Sequence, residues 1–289
     1  MKLSTGARGA LLAPAILLNV LALIIPAGFF LTSAFRENAG FGQLGGFSMD
    51  ALVTTVTDPF MLGLFGNYLV TLLIITLGCT VIGFPVCYVI ARSRRWGGFV
   101  LNTIMAVSFV SAIVMTIGWL TLLGANGPIA SLLSMVGVQE VPPLLNSPFA
   151  VVIALIHVEL HFMVLACLPS VMQVSRNLED AAMGLGASWW QTMMRVVLPM
   201  SLPGVLAGGL LVMATTAGAF TTPAVLGGQR VPWVPVFIER QANVAFNYPM
   251  AATASLFLVL LVVGLTMVAN RFASRRKRRA KRSPDTSVV

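Results

Sequence analysis

Phe149-Ala-Val-Val-Ile-Ala-Leu-Ile-His-Val-Glu-Leu-His-Phe-Met-Val-Leu-Ala-Cys-Leu-Pro-Ser-Val171 is a predominantly apolar run whose only ionisable groups, apart from one thiol, are His157, Glu159 and His161. Its length decides the fold. An α-helix rises 1.5 Å per residue, so about 20 apolar residues cross a hydrocarbon core of roughly 30 Å. Five further runs reach that length, at about Leu11–Ala34, Tyr68–Ala91, Phe99–Leu123, Leu202–Thr222 and Met250–Val268. Backbone groups in lipid must be satisfied within the segment, so each run is predicted to be helical. The expected fold class is all-α, a polytopic membrane protein with six transmembrane helices in a single domain over residues 1–289.

Composition leads to the same place. The chain is 57% hydrophobic and 9% charged, with a mean hydropathy of +0.91. A soluble domain carries roughly 25% charged residues because its surface needs them. A water-soluble globule is therefore excluded.

The formal charge of +9 resembles a nucleic-acid signal until its distribution is read. The tail 271–289 holds Arg271, Arg275, Arg276, Lys277, Arg278, Arg279, Lys281 and Arg282, and a short hydrophilic break holds Arg92, Arg94 and Arg95. With the N-terminus in the cytoplasm, fifteen of the 18 Lys and Arg residues fall inside, leaving Arg36, Arg230 and Arg240 outside. The positive-inside rule then predicts cytoplasmic termini at both ends. The tail abuts a span, so membrane lipid and not nucleic acid is its expected partner, at about 1 kcal/mol per basic residue near an anionic surface.

Lys2 and Arg8 precede the first run as they would in a secretory signal. Signal cores are only about 7–15 residues long, so a retained helix is expected. The outer loops, about Phe35–Asn67, Gly124–Pro148 and Pro223–Pro249, are rich in Gly, Pro and Asn, and Asn126-Gly127-Pro128 and Pro142-Pro143 mark turns. Cys79, Cys87 and Cys167 lie in or beside apolar runs with neither disulfide nor zinc spacing, and read as small packing residues.

The inner loop 176–199 reads Arg176-Asn-Leu-Glu-Asp-Ala-Ala-Met-Gly-Leu-Gly-Ala-Ser-Trp-Trp-Gln-Thr-Met-Met-Arg-Val-Val-Leu-Pro199. Ser175 or Asn177 can cap a first helix, whose Glu179 and Asp180 complement the positive end of its dipole. Ala181 and Ala182 favour helix and leave room for a partner, and Gly184 and Gly186 permit a sharp exit. Ser188 can cap a second helix through Arg195, with Pro199 leading to the next span. No Gly-x-x-x-x-Gly-Lys loop is present, the only lysines being Lys2, Lys277 and Lys281, so this chain is expected to bind no ATP or other cofactor itself.

The loop resembles the cytoplasmic signature of ABC importer permeases, which is Glu-Ala-Ala, three residues, Gly, nine residues, then Ile-x-Leu-Pro. Here Asp180-Ala181-Ala182 is followed by Gly186 and by Val196-Val197-Leu198-Pro199 at the same spacing, with Asp for Glu and Val for Ile. The resemblance implies a type I importer permease fold in a bacterial inner membrane. It also implies that Asp180, Ala181, Ala182, Gly186, Leu198 and Pro199 couple the chain to separate ATP-binding cassette subunits carrying ATP and Mg. A second permease subunit, either paralogue or second copy, and an extracytoplasmic solute-binding protein are implied with them, and no enzyme activity.

Further segments from about residue 58 to 270 are similar to the spermidine/putrescine-type branch. They are Asp58-Pro59-Phe60, Gly83-Phe84-Pro85, Thr116-Ile-Gly-Trp119, Leu123-Gly-Ala-Asn-Gly127 and Thr222-Pro-Ala-Val-Leu-Gly-Gly228. The implied solute is a polyamine, although importers for ferric iron and 2-aminoethylphosphonate share much of the pattern. Two segments depart: Met115-Thr116-Ile117-Gly118-Trp119 stands where that branch often has Arg-Thr-Tyr-Ala-Trp, and Leu160-His161-Phe162 where it often has Leu-Pro-Phe.

Intramembrane ionisable residues are costly, so the cluster His157, Glu159 and His161 is a functional candidate by default. On a helix the two histidines share a face while Glu159 points roughly 200° away from His157, which makes a metal site of all three awkward. A polar contact within the bundle and a direct solute role for Glu159 both remain open. Glu159, His157, Trp119 and Thr216 are the candidate pathway residues, with Thr215, Gly218, Thr221 and Thr222 beside them. Gly204 and Gly208 offer close helix packing. Two other classes use the same cluster: an ion-coupled secondary carrier with a proton relay, and a membrane metalloenzyme.

Overall fold

The structure is a computed structural model, and it describes residues 13–14, 17–40, 42–136, 144–228 and 230–280, with side chains left out of the description at 23, 269–270 and 272–280. Six helical stretches among them are long and apolar enough to cross a membrane: Leu17–Phe35, Pro59–Arg92, Ala112–Met135, Pro148–Met172, Trp189–Ala217 and Tyr248–Val268. The six-span helical architecture read from hydropathy is present. Residues 11–12 and 15–16 of the first expected span, the Pro142-Pro143 turn and the tail from 281 onward lie outside the described residues.

Helix α1 (Ile25–Thr32) follows a π-helical turn at Val20–Ile24 and leads into a short antiparallel hairpin, β1 (Arg36–Asn38) with β2 (Leu44–Phe47). Helix α2 (Asp50–Thr57) comes next, then the long α3 (Pro59–Arg92). At 34 residues α3 starts earlier than the apolar run beginning at Tyr68. The reason is local: the Phe60 amide donates to Asp58 Oδ1 at 2.9 Å, and Pro59 occupies a first-turn position where no N–H is needed.

The third expected span, Phe99–Leu123, is not one helix. It is divided into α4 (Gly97–Ser108) and α5 (Ala112–Leu123), with α6 (Pro128–Met135) continuing beyond. Ser111 breaks the run because it caps α5, accepting from the Ile113 amide at 3.4 Å. At 12 residues α4 is about 18 Å long, too short to cross alone.

Helix α7 (Pro148–Met172) is capped by Ser147, which accepts from the Ala150 amide at 3.2 Å. More than half of its apolar window, 56%, is buried, the largest share among the six spans. Next come α8 (Arg176–Gly184) and α9 (Trp189–Thr192), a π-helical turn at Met193–Val197, and α10 (Leu198–Ala217). The fifth span therefore begins at Trp189 and stops at Ala217, correcting the expected 202–222 at both ends. The second loop helix is its first turns and not a separate element. The π turn, in which the Leu198 amide reaches back to Met193, carries the helix through to Pro199. Gly218 closes α10, and Pro223–Gly227 forms another π-helical turn. Helices α11 (Val234–Asn243) and α12 (Tyr248–Ala280) complete the described residues.

Contacts divide the described residues into two units, one drawn from the stretches up to 65 and 234–260, the other from 66–233 and beyond 260. In the first, Phe60 packs on Phe237 and Phe65 on Phe257, with ring centroids 6.1 and 6.2 Å apart, over a buried layer of Met61, Leu64, Val234 and Ala251. In the second, α7 and α10 form the tightest pair. A Cβ on Gly204 would stand 2.5 Å from Ser170 Cβ, and one on Gly208 3.1 Å from the Met163 carbonyl oxygen. Only glycine allows this approach, as the sequence pattern anticipates. Tyr68 donates to the Ala217 carbonyl at 2.8 Å and packs edge-on against Trp233, which donates to Ala219 O at 2.6 Å. All three cysteines are buried and free.

Candidate functional site

Two groups of polar residues stand out in the second unit. The first is the loop between α7 and α10. Ser175 sits at the α8 N-cap with extended backbone but makes no side-chain cap bond. The exit from α8 is a full Schellman turn: Gly186 donates to Met183 O at 2.9 Å and Ala187 to Ala182 O at 3.1 Å. Gly186 has φ +89°, a conformation that glycine adopts freely and L-residues strain to reach. One residue on, Ser188 and Gln191 form a capping box, Ser188 Oγ accepting from the Gln191 amide at 3.2 Å and Gln191 Oε1 from the Ser188 amide at 3.0 Å.

Asp180, Ala181 and Gly186 are exposed, Ala182 and Leu198 half-buried, and Pro199 exposed. Around them Leu178, Met183, Leu185, Trp189 and Trp190 are also exposed, Leu185 at 91%. The outward surface is thus an apolar patch with one carboxylate, which suits a protein partner better than water.

The inward side of α8 is charged, which the sequence reading missed. Glu179 is 4% exposed. Its Oε1 accepts from Arg92 Nε at 2.7 Å and Nη2 at 2.5 Å, and its Oε2 accepts from the Tyr88 hydroxyl at 2.9 Å. Arg92 Nη2 also donates to the Val174 carbonyl at 2.7 Å, at the end of α7. Arg176 reciprocates, its Nη2 reaching the Arg92 carbonyl at 3.2 Å at the end of α3. Arg92 of α3 thereby sits at the end of α7, and Arg176 of α8 at the end of α3, where a helix leaves its last carbonyls unpaired and its dipole is negative. Tyr88 and Trp189 close the group edge-on at 5.6 Å.

The second group lies within the spans. Glu159 is buried, and its Oε2 accepts from Thr215 Oγ1 at 2.5 Å. His157 faces another way and is exposed; its Nδ1 accepts from Trp119 Nε1 at 3.2 Å, with the rings 5.9 Å apart. His161 is buried, with Nδ1 2.8 Å from Val158 O and its ring against Phe162 at 3.9 Å. The structure therefore joins Trp119 to His157 and Glu159 to Thr215, and joins neither pair to the other. Thr216 is wholly buried beside Thr215, and Thr222 meets Thr116 hydroxyl to hydroxyl at 2.7 Å. Among the described residues no three His, Cys, Asp or Glu side chains gather as a metal site.

These features describe a polytopic helical membrane protein with an exposed loop between its fourth and fifth spans. The binding-protein-dependent transport system inner membrane component family matches residues 80–282, and the chain belongs to it. It is similar to the spermidine/putrescine transport system permease protein PotB of Escherichia coli strain K12, 31% identical over 255 residues, 88% of this chain and 90% of that protein. The PotB protein of Haemophilus influenzae is 28% identical, covering 77% of this chain and 80% of its own length. In fold the chain matches a solved bacterial ABC transporter involved in the import of the acidic polysaccharide alginate, with a TM-score of 0.71, 20% identity, and coverage of 92% of this chain and 94% of that one. The protein is an ABC importer permease subunit, multi-pass in the membrane.

Proposed function

We propose that the chain translocates a polyamine of the spermidine/putrescine kind, delivered by an extracytoplasmic binding protein and driven by ATP hydrolysis on a separate subunit. The observation that carries the substrate is the likeness to the two PotB permeases over most of the chain. A buried carboxylate, Glu159, on the most enclosed span agrees with a cationic solute. In this reading Glu159, His157, Trp119 and Thr216 line or gate the pathway, Thr216 through the small-residue packing that positions Thr215. Asp180, Ala181, Ala182 and Gly186 on α8 and its exit seat in the ATP-binding subunit, with Leu198 and Pro199 fixing where α10 leaves the loop. Both termini are cytoplasmic, and a second permease subunit completes the pathway.

The test is uptake of labelled spermidine into proteoliposomes holding the chain with its companion subunits, with ATP supplied on the coupling-loop side and binding protein on the other. Uptake is expected to require both, and Gly186→Trp to abolish it. Glu159→Gln is expected to lower spermidine uptake about tenfold, the loss of one charge contact. Uptake that survives without ATP and collapses with the proton gradient would overturn this in favour of a secondary carrier.

A further inference from the structure

We propose that Arg92 and Glu179 are positioning residues that lock α8 to the inner ends of α3 and α7, so that displacement of α8 by an ATP-driven partner moves both spans together. The proposal rests on the coupling-loop reading above and adds the transmission step.

The geometry is specific to the guanidinium. One planar group donates to Glu179 of α8 through Nε and Nη2 and, through the same Nη2, to the Val174 carbonyl beyond α7, while its own backbone ends α3. Glu179 uses its second oxygen for Tyr88, one helical turn earlier on α3. Arg176 crosses back from the start of α8 to the α3 carbonyls of Ala91 and Arg92, at 3.4 and 3.2 Å. Three elements are thus tied by charge-assisted bonds, which are short and directional. Glu179 is buried while its neighbour Asp180 is exposed, so α8 presents one carboxylate to the bundle and another to the outside. A helix held only by apolar contacts could slide against the bundle; this one is pinned at both ends of a salt bridge shielded from solvent.

The experiment measures solute taken up per ATP hydrolysed in the reconstituted transporter, with spermidine as probe, and co-purification with the ATP-binding subunit in detergent. Glu179→Gln and Arg92→Lys are expected to co-purify normally and to keep hydrolysing ATP, while uptake per ATP falls about tenfold through the loss of charge-assisted bonds. The reversed pair, Arg92→Glu with Glu179→Arg, is expected not to restore the ratio, because a carboxylate at 92 would face the Val174 carbonyl. A ratio within about twofold of wild type in Glu179→Gln, or restoration by the reversed pair, overturns the proposal. Should Glu179→Gln fail to accumulate, Tyr88→Phe carries the test: it deletes one bond, is expected to lower the ratio about threefold, and an unchanged ratio is fatal. The coupling-loop reading is tested apart from this by Leu185→Asp, expected to abolish co-purification. Undiminished co-purification there refutes the docking surface, whatever Glu179→Gln does.

Discussion

At the scale of single residues, the pairing of α7 with α10 turns on which glycines face a neighbour. Gly204 and Gly209 are five positions apart on one helix, yet a Cβ at 204 would collide with Ser170 while one at 209 would find Thr76 Cγ2 at an ordinary 3.7 Å. Gly204→Ala is therefore expected to destabilise by about 1–3 kcal/mol through overpacking. Gly209→Ala is expected to be neutral or to stabilise by up to about 1 kcal/mol, since alanine favours helix. Thermal unfolding of the two variants in detergent distinguishes them, and equal melting temperatures would mean the two helices do not approach as described. Gly186 has a different reason for being glycine: nothing lies within 4 Å of its missing Cβ, but its φ of +89° strains any L-residue.

At the scale of elements, helix ends decide what apolar counting cannot. The capping box at Ser188 and Gln191 starts a helix that runs without interruption from Trp189 to Ala217. Removing it by Ser188→Ala should cost about 1 kcal/mol locally. Amide hydrogen exchange over 189–193 is then expected to speed up about fivefold relative to the wild-type chain, while exchange in α7 stays unchanged. No change at 189–193 would mean that packing of the Trp189 side chain, and not the cap, holds this start. Six spans were legible in the sequence because lipid imposes length and apolarity on each. Their ends were less so, because Asp58-Pro59, Ser111 and Ser188 act through local hydrogen bonds that a hydropathy window ignores. The spacing between Asp180, Gly186 and Pro199 singled out the loop between the fourth and fifth spans, and the structure leaves all three residues exposed. The inward side of that loop was not legible, since Arg92 lies far along the chain from Glu179 and its charge was already accounted for by orientation.

At the scale of the whole molecule, orientation is expected from the asymmetry of basic residues, fifteen of the 18 falling in or beside the segments expected inside. Each Lys or Arg moved across the membrane is opposed by the translocation machinery and by its own hydration, so the bias is expected to favour one insertion over the other. The burial of Cys79, Cys87 and Cys167 makes this directly measurable, because a thiol reagent should find little background on the native chain. Two exposed positions serve as reporters: Leu185, 91% exposed after α8, and Val244, 70% exposed after α11. Three spans lie between the first and the N-terminal span, which puts Leu185 on the side of the N-terminus, and one further crossing puts Val244 opposite. A membrane-impermeant maleimide added to intact spheroplasts is expected to label Val244→Cys, and to label Leu185→Cys only after permeabilisation. The reverse pattern would place the loop of Leu185 outside the cell, where no ATP-driven partner could reach it, and would overturn the expected orientation and the proposed function together.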